Sequence, residues 1–386
     1  MRILGTKRRI HIWQQNTTEA PVDKISGIWS RVQRSLFPYL EECLPELSDR
    51  HRKLALVLET VRVEDNISYD CVQRLGRKPK NRIILARAFV AKALYNATDS
   101  KSFIERLKTD RTLRQICGWQ RCSDIPSEST FSRAFAEFAD SALVDDVHKS
   151  CVEKYLSDEL IWHISRDSTQ IDAREKPLKK PEKQPEPKRR RGRPKADEIR
   201  PKPEPTRIER QLIQTYSEAI AQLPVACDFG TKKDSKGSKR HWVGYKLHLD
   251  ISDGGIPISA LTTSASVHDS QVAIPLSRMT ADRVVSLYEL MDSAYDVKAI
   301  HQAIRELGHV PIISPHAGYR KSNFVPLEPD RAVRYNNRTT AERFNSRLKD
   351  EFGGRMVRVR GKPKVHTHLM FGVLAIFALS ILNLAV

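Results

Sequence analysis

"HWVGYKLHLDISDGGIPISALTT", residues 241–263, alternates Val243, Tyr245, Leu247, Leu249 and Ile251 with Trp242, Gly244, Lys246, His248 and Asp250. A period of two is what a strand with two distinct faces requires. "DGG" then turns the chain into "IPISALTT", so the stretch reads as a β-hairpin. Upstream, "LIWHISRDSTQI" (160–171) is a mainly apolar, β-compatible run. Downstream, "RVVSLYELMD" (283–292) gives a buried strand ending at Asp292. Val297, Ile300, Ile304 and Leu307 form a helical stripe stopped by Gly308, and "HVPIIS" (309–314) supplies the next strand.

The order is therefore β, β, β, β, α, β, α. Three opening strands joined by hairpin-type turns, then α/β alternation with a final helix, is the strand order of the ribonuclease H-like fold, an α/β class built on a mixed β-sheet. Residues 31–157 differ, because "HRKLALVLETVRV", "NRIILARAFVAKALYNA" and "STFSRAFAEFADSALVDDVHKSCVEKYL" place apolar residues at helical steps. They predict an all-α N-terminal domain. Within it, "GWQRCSDIPSESTFSRAFAEF" ends in a serine-capped helix carrying Arg133, compatible with a helix-turn-helix DNA reader and equally with an ordinary helical domain. The expected division is a tail at 1–30, a helical DNA-binding domain at 31–157 and a catalytic domain at 158–386 with an insertion at 175–222.

That insertion breaks the composition. Of residues 175–210, eight are proline, 14 are lysine or arginine, and only Leu178, Ala196, Ile199 and Ile208 are aliphatic. Such a segment cannot bury a core. At its centre "KRRRGRPK" (188–195) resembles an AT-hook, which implies that Arg191 and Arg193 enter a narrow A·T-rich minor groove, where arginine is electrostatically favoured. A nonspecific basic linker is the equal alternative.

The whole chain agrees with a polyanionic partner: 66 lysines and arginines face 47 acids across 386 residues, a formal charge of +19. The six cysteines contain no CxxC pair and suggest reduced thiols. Cys117 and Cys122 lack a second ligand pair for zinc. The first thirty residues lack the apolar run of a secretory signal. "LMFGVLAIFALSILNLAV" (369–386) is uncharged and at the lower edge of membrane-span length, but its glycine, serine and asparagine suit a helix packed into a soluble core. The expected location is the cytoplasm, with no membrane partner.

Three acids stand out in this topology: Asp167 in the first strand, Asp292 ending the fourth, and Glu342 on the later helix. Phosphodiester chemistry suits such a trio, because paired magnesium ions bound through oxygen can stabilise both the attacking and the leaving oxygen. Asp172 and Asp228 compete for the first position but lie in less apolar surroundings. In "RYNNRTTAERFNSRLKDEF" (334–352), Tyr335, Arg338, Glu342, Asn345 and Lys349 follow at steps of 3, 4, 3 and 4 and share one face if the segment is helical throughout. Ala341, Phe344, Leu348 and Phe352 form an adjacent apolar face. The plainer reading makes Arg338 and Glu342 a solvent-exposed i,i+4 pair.

The same segment matches Y-x2-R-x3-E-x6-K at Tyr335, Arg338, Glu342 and Lys349, and so resembles the signature of DDE transposases of bacterial insertion sequences. "DSTQI" is similar to that family's first aspartate motif, residues 242–270 to its central hairpin, "DSAYDVKAIHQAIRELGHVPII" to its second aspartate block, and "PSESTFSRAFAEF" to its N-terminal domain. The resemblance covers most of residues 40–386. It implies that Asp167, Asp292 and Glu342 form a metal-binding catalytic triad using two Mg2+ ions, with Mn2+ able to substitute. It implies that Arg338 and Lys349 hold phosphates or terminal bases and that Tyr335 positions DNA. It further implies cleavage at terminal inverted repeats, strand transfer into target DNA, and a homodimer in the DNA complex. The interval of 50 residues between Asp292 and Glu342 leaves no room for the β-rich insertion of some relatives, so a hairpin-stabilising role that depends on it is not carried over. His268 and Asp269 close the hairpin in a family-like motif, with a structural role at least as well supported as a catalytic one. Beyond the helix, Arg355, Arg358, Arg360, Lys362 and Lys364 are placed to neutralise phosphates. A transposase-derived DNA-binding protein without activity and a simple metal-dependent nuclease are the rival functions.

Overall fold

The computed structural model describes residues 47–67, 79–179, 204–233, 237–315 and 325–384. The tail at 1–30 and the basic run with Arg191 and Arg193 lie outside the described residues.

Six helices open the described chain: α1 (Asp49–Val61), α2 (Arg82–Leu94), α3 (Ser100–Thr109), α4 (Arg111–Cys117), α5 (Glu128–Asp140) and α6 (Leu143–Leu156). Short polar side chains start several of them. Asn81 accepts from the Ile83 amide at 2.9 Å, Asp99 from Ser102 at 2.7 Å and Asp110 from Leu113 at 2.9 Å. Ser127 stands at the N-cap of α5 as expected, but makes no side-chain cap bond. Its hydroxyl meets those of Ser129 and Thr130 instead.

The sheet consists of β1 (Leu160–Asp172), β2 (Asp228–Lys233), β3 (Lys239–Ser252), β4 (Pro257–Ser264), β5 (Val285–Met291) and β6 (Val310–Ile313). Its order is β2-β3-β1-β5-β6, with β4 also on β3. β1 runs antiparallel to β3 and parallel to β5, and β5 is parallel to β6. Without β2 the order is β4-β3-β1-β5-β6, the mixed sheet of the ribonuclease H-like fold. The register Leu247↔Thr262 and Leu249↔Ala260 confirms the hairpin read from alternation.

Four elements were not anticipated. The insertion contains α7 (Arg207–Gln211) and α8 (Tyr216–Ala221), each opened by a capping box, Thr206 with Glu209 and Thr215 with Glu218. β2, "DFGTKK", has one large apolar residue and owes its strand to the ladder with β3. Helix α9 (Ser270–Arg283) lies between β4 and β5 and carries Pro275 inside it, which obscures its periodicity. It is followed by β5, α10 (Lys298–Glu306) and β6.

The last three helices are α11 (Pro329–Tyr335), α12 (Thr339–Glu351) and α13 (Lys362–Leu384). A 3-10 turn at Asn336–Arg338 joins α11 to α12, so the expected continuous helix over residues 334–352 is interrupted there. Ser165 of β1 donates its hydroxyl to the Asn337 carbonyl at 3.1 Å and ties that turn to the sheet. Ala341, Phe344 and Leu348 are buried, as their spacing predicts.

Helix α13 is the apolar C-terminal segment. It packs on α1, α2, α5 and α6 and also on β4. Phe371 stacks on Phe89 at 5.5 Å, and Phe377 meets His148 edge-on at 5.8 Å. Its most apolar window is long enough to cross a membrane, but 83% of it is buried inside the protein. One hydrophobic core therefore runs from the helical bundle into the sheet, with α13 as its spine.

At Gly372 this spine touches the end of α12. A Cβ there would lie 2.7 Å from the Phe352 carbonyl oxygen and 2.8 Å from Leu348 Cδ1. Gly372→Ala should lower stability by about 1–2 kcal/mol in urea unfolding, since backbone overpacking outweighs alanine's helix preference.

Candidate active site

β1 shows two opposite faces at neighbouring residues. Arg166 points into the core on one side, and Asp167 faces α12 on the other. Arg166 is 1% exposed and holds Asp250 of β3 through two bonds, 2.7 and 2.6 Å, and Glu289 of β5 at 3.1 Å. From α9, Ser277 accepts from Arg166 at 2.7 Å and donates to Glu289 at 2.6 Å, while Thr280 donates to Asp250 at 2.6 Å. This buried network locks β1, β3 and β5 in register.

The register delivers two acids to one place. Ser165 pairs with Leu290 in the parallel β1–β5 ladder, and two residues further on come Asp167, within β1, and Asp292, just past the carboxyl end of the adjacent β5. Open α/β sheets bind ligands at such ends. Burial pushes the Asp167 carboxyl up to about 6, opposed by the Arg338 guanidinium and reinforced by the charge of Asp292. Burial also raises Asp292, whose side chain is held by the Ala294 amide at 2.9 Å.

Helix α12 covers this pair. Arg338 Nη2 meets Glu342 Oε1 at 2.5 Å, and Nη1 lies 3.8 Å from Asp167 Oδ1. The plain i,i+4 pair is thus present, with the guanidinium reaching past it to the strand acid. The Glu342 carboxylate remains half exposed. Among the described residues no three acidic, histidine or cysteine side chains converge to hold an ion unaided. Arg338 supplies the countercharge between Asp167 and Glu342. Tyr335 lies beside it, with Arg338 5.9 Å from its ring centre. Lys349 is half-buried, and burial lowers its pKa, opposed by Asp172 and Asp167.

Arg133 stands apart, exposed on α5, with its Nε donating to the Ser129 carbonyl of its own helix. Asp172 is exposed at the far end of β1, and Asp228 begins β2, its carboxylate accepting from the Phe229 amide. Cys117 is buried and Cys122 exposed.

Three further side chains bear on the acids. Lys232 of β2 bears electrostatically on both Asp167 and Asp292. Asp269 accepts from Lys246 Nζ at 2.9 Å. Burial would raise its carboxyl, but His248 and Lys246 bring it below the ordinary range. Asn345 donates Nδ2 to Asp167 Oδ2 at 3.0 Å. Asn345 was visible as a member of the helix face, and Asp269 as part of the hairpin motif; Lys232 had no signal beyond its charge.

The family model of the transposase DDE domain matches residues 200–378, which include Asp292, Glu342 and all of α12. A second model, a transposase domain (DUF772), matches residues 38–137 in the helical region. The chain belongs to the DDE transposases. No curated protein and no solved structure matched. The transposase's first strand precedes the DDE match, so it is the sheet register that joins Asp167 to the matched residues. As a family DDE transposases act on DNA and depend on divalent metal, and the carboxylates of this transposase have suitable chemistry: hard oxygen donors, two of them in surroundings that penalise uncompensated negative charge. The buried Asn345 Oδ1 beside them, without a hydrogen-bond partner among the described residues, fits a cationic or hydrated occupant as well.

Proposed function

We propose that this insertion-sequence transposase cleaves phosphodiesters at its element's ends and transfers the released 3′-hydroxyls into target DNA, with Asp167, Asp292 and Glu342 as the catalytic acids. The adjacency of Asp167 and Asp292 beneath α12 carries the reading. Two half-buried carboxylates on neighbouring strands, Asp167 within β1 and Asp292 just after β5, repel each other, an arrangement of use where a cation and a phosphate are to be held. A protein that only binds DNA gains nothing from acids aimed at phosphate.

Asp167, Asp292 and Glu342 would hold Mg2+, two ions in the full complex with Mn2+ able to replace it, and this would supply positive charge against that developing on the phosphate. Arg338 gives up Glu342 and Asp167 to take phosphate oxygens or a terminal base. Lys349 does the same one side of it, and Tyr335 packs against the DNA near the cut. Arg133 on the helical domain reads duplex outside the cut, and Arg191 and Arg193 grip a minor groove. The division into a tail, a DNA-binding domain and a catalytic domain follows this use, with a homodimer pairing the two ends and the cytoplasm as the place of action.

The test is a DNA fragment carrying the gene's own flanking ends, incubated with target DNA and Mg2+. The wild type should cut at the ends and join them to target, while Glu342→Gln binds the ends normally and cuts at least about 100-fold more slowly. A wild type that binds and never cuts with Mg2+ or Mn2+ is a DNA-binding protein without nuclease activity. Cutting without end preference or joining identifies a simple nuclease.

A further inference from the structure

We propose that Asn345 is a positioning residue of the active site: its amide nitrogen holds the Asp167 carboxylate, and its amide oxygen offers a neutral donor to a divalent cation held there. The inference rests on the reading of Asp167 as a cation-holding acid.

The geometry fixes which end of the amide does which task. An ionised carboxylate only accepts hydrogen bonds, so the group facing Asp167 Oδ2 at 3.0 Å is Nδ2, and Oδ1 is left on the other side. That oxygen is buried and has no hydrogen-bond partner among the described residues, and Asn345 as a whole is 7% exposed. Phe344 and Leu348, 3% and 0% exposed, anchor α12 on the sheet and keep the helix from rolling Asn345 out to water. Buried side-chain oxygens without partners are uncommon, and a site that ordinarily contains a cation or its hydration water accounts for this one. Amide oxygens bind hard divalent ions alongside carboxylates.

The two strand acids also become equivalent in this light. Asp292 is oriented by the backbone amide of Ala294 at 2.9 Å, whereas Asp167 is oriented by a side chain from α12. Asn345 therefore couples the seating of the catalytic helix to the aim of the first acid. Removing partners of this kind typically weakens metal affinity about 10–100-fold. A residue that merely filled space would not need an amide.

Mn2+ binding to the DNA-free protein, followed by electron paramagnetic resonance of the free ion, tests this with wild type, Asp167→Asn, Asn345→Ala and Asn345→Asp. Asp167→Asn should lose the ion, and Asn345→Ala should bind it about 10–100-fold more weakly while melting within a few degrees of wild type. Asn345→Asp keeps an oxygen but cannot donate to Asp167. It should bind Mn2+ within about threefold of wild type and cleave DNA at least about tenfold more slowly. Wild-type affinity in Asn345→Ala, with the ion lost in Asp167→Asn, overturns the role of Asn345 alone. Wild-type affinity in Asp167→Asn overturns the reading of the acids with it. If Asn345→Ala does not fold, wild-type cleavage by Asn345→Asp overturns the proposal.

Discussion

Asp167→Asn should cost at least about 1000-fold in end cleavage, yet leave a protein that is more stable than the wild type at neutral pH. The two effects share one cause. Burial pushes the Asp167 carboxyl up to about 6, above its unfolded value near 3.9, so its charged form is disfavoured in the folded state. Between those values the folded protein binds a proton that the unfolded chain does not. Stability from this group is therefore fully present below about pH 4 and lost as pH rises through about 6. Asparagine has the same shape and no charge, so at pH 7 and without metal it should recover about 1–3 kcal/mol, visible as a melting temperature a few degrees higher. The gain should vanish below pH 4. Equal or lower stability of Asp167→Asn across this range would mean that Arg338, 3.8 Å away, fully compensates the acid. An active site that holds charge in a low-dielectric setting gives up stability for chemistry in this way.

Much of this site could be read from residues alone, because its signals are local and periodic. The period of two in residues 241–263 survives as β3 and β4, and the apolar stripe Ala341, Phe344 and Leu348 survives as the buried face of α12. Asp167 was legible as an acid within an apolar strand run, and Asp292 as the acid that ends another. Their adjacency was legible only through the fold, since a parallel pairing across 125 residues leaves no local trace.

What was missed depends on tertiary contact. β2 has almost no strand composition of its own, and α9 has a proline where its periodicity should be strongest. The interruption at Asn336–Arg338 keeps right-handed helical backbone, so the spacing of Tyr335, Arg338 and Glu342 gives no warning of it. Asn345 could be put on the correct face, but its bond to Asp167 and its unpartnered oxygen need coordinates. The role of α13 as spine for the helical bundle is a long-range matter as well: an apolar segment at residue 370 says nothing about packing against Phe89.

Arg166→Leu should be the most damaging single change in the core, lowering the unfolding free energy by about 3–5 kcal/mol at pH 7. Asp250 and Glu289 are 0% and 1% exposed, and the guanidinium is the full charge that both share. Without it, Asp250 stays buried with no countercharge and Glu289 is left to His309, 2.8 Å away, and the Ser277 hydroxyl, which is costlier than the lost attraction itself. The pH dependence gives the cause away. Burial already raises the Asp250 carboxyl, with Arg166 opposing the shift, so removal of Arg166 raises it further. A raised folded value means stability lost as pH rises through it, so the defect should shrink as the pH falls from 7 to 5 and the acids take up protons. Arg166→Leu combined with Asp250→Asn and Glu289→Gln should recover most of the loss in urea unfolding, because apolar and neutral polar groups replace a buried ion network at little cost. A triple variant as unstable as the single one would show that packing, not charge, is what Arg166 supplies. If the recovered triple variant still fails to cut DNA, the network acts on function through register: Arg166 precedes Asp167 on β1, and whatever fixes one across β3 and β5 fixes where the other meets Asp292.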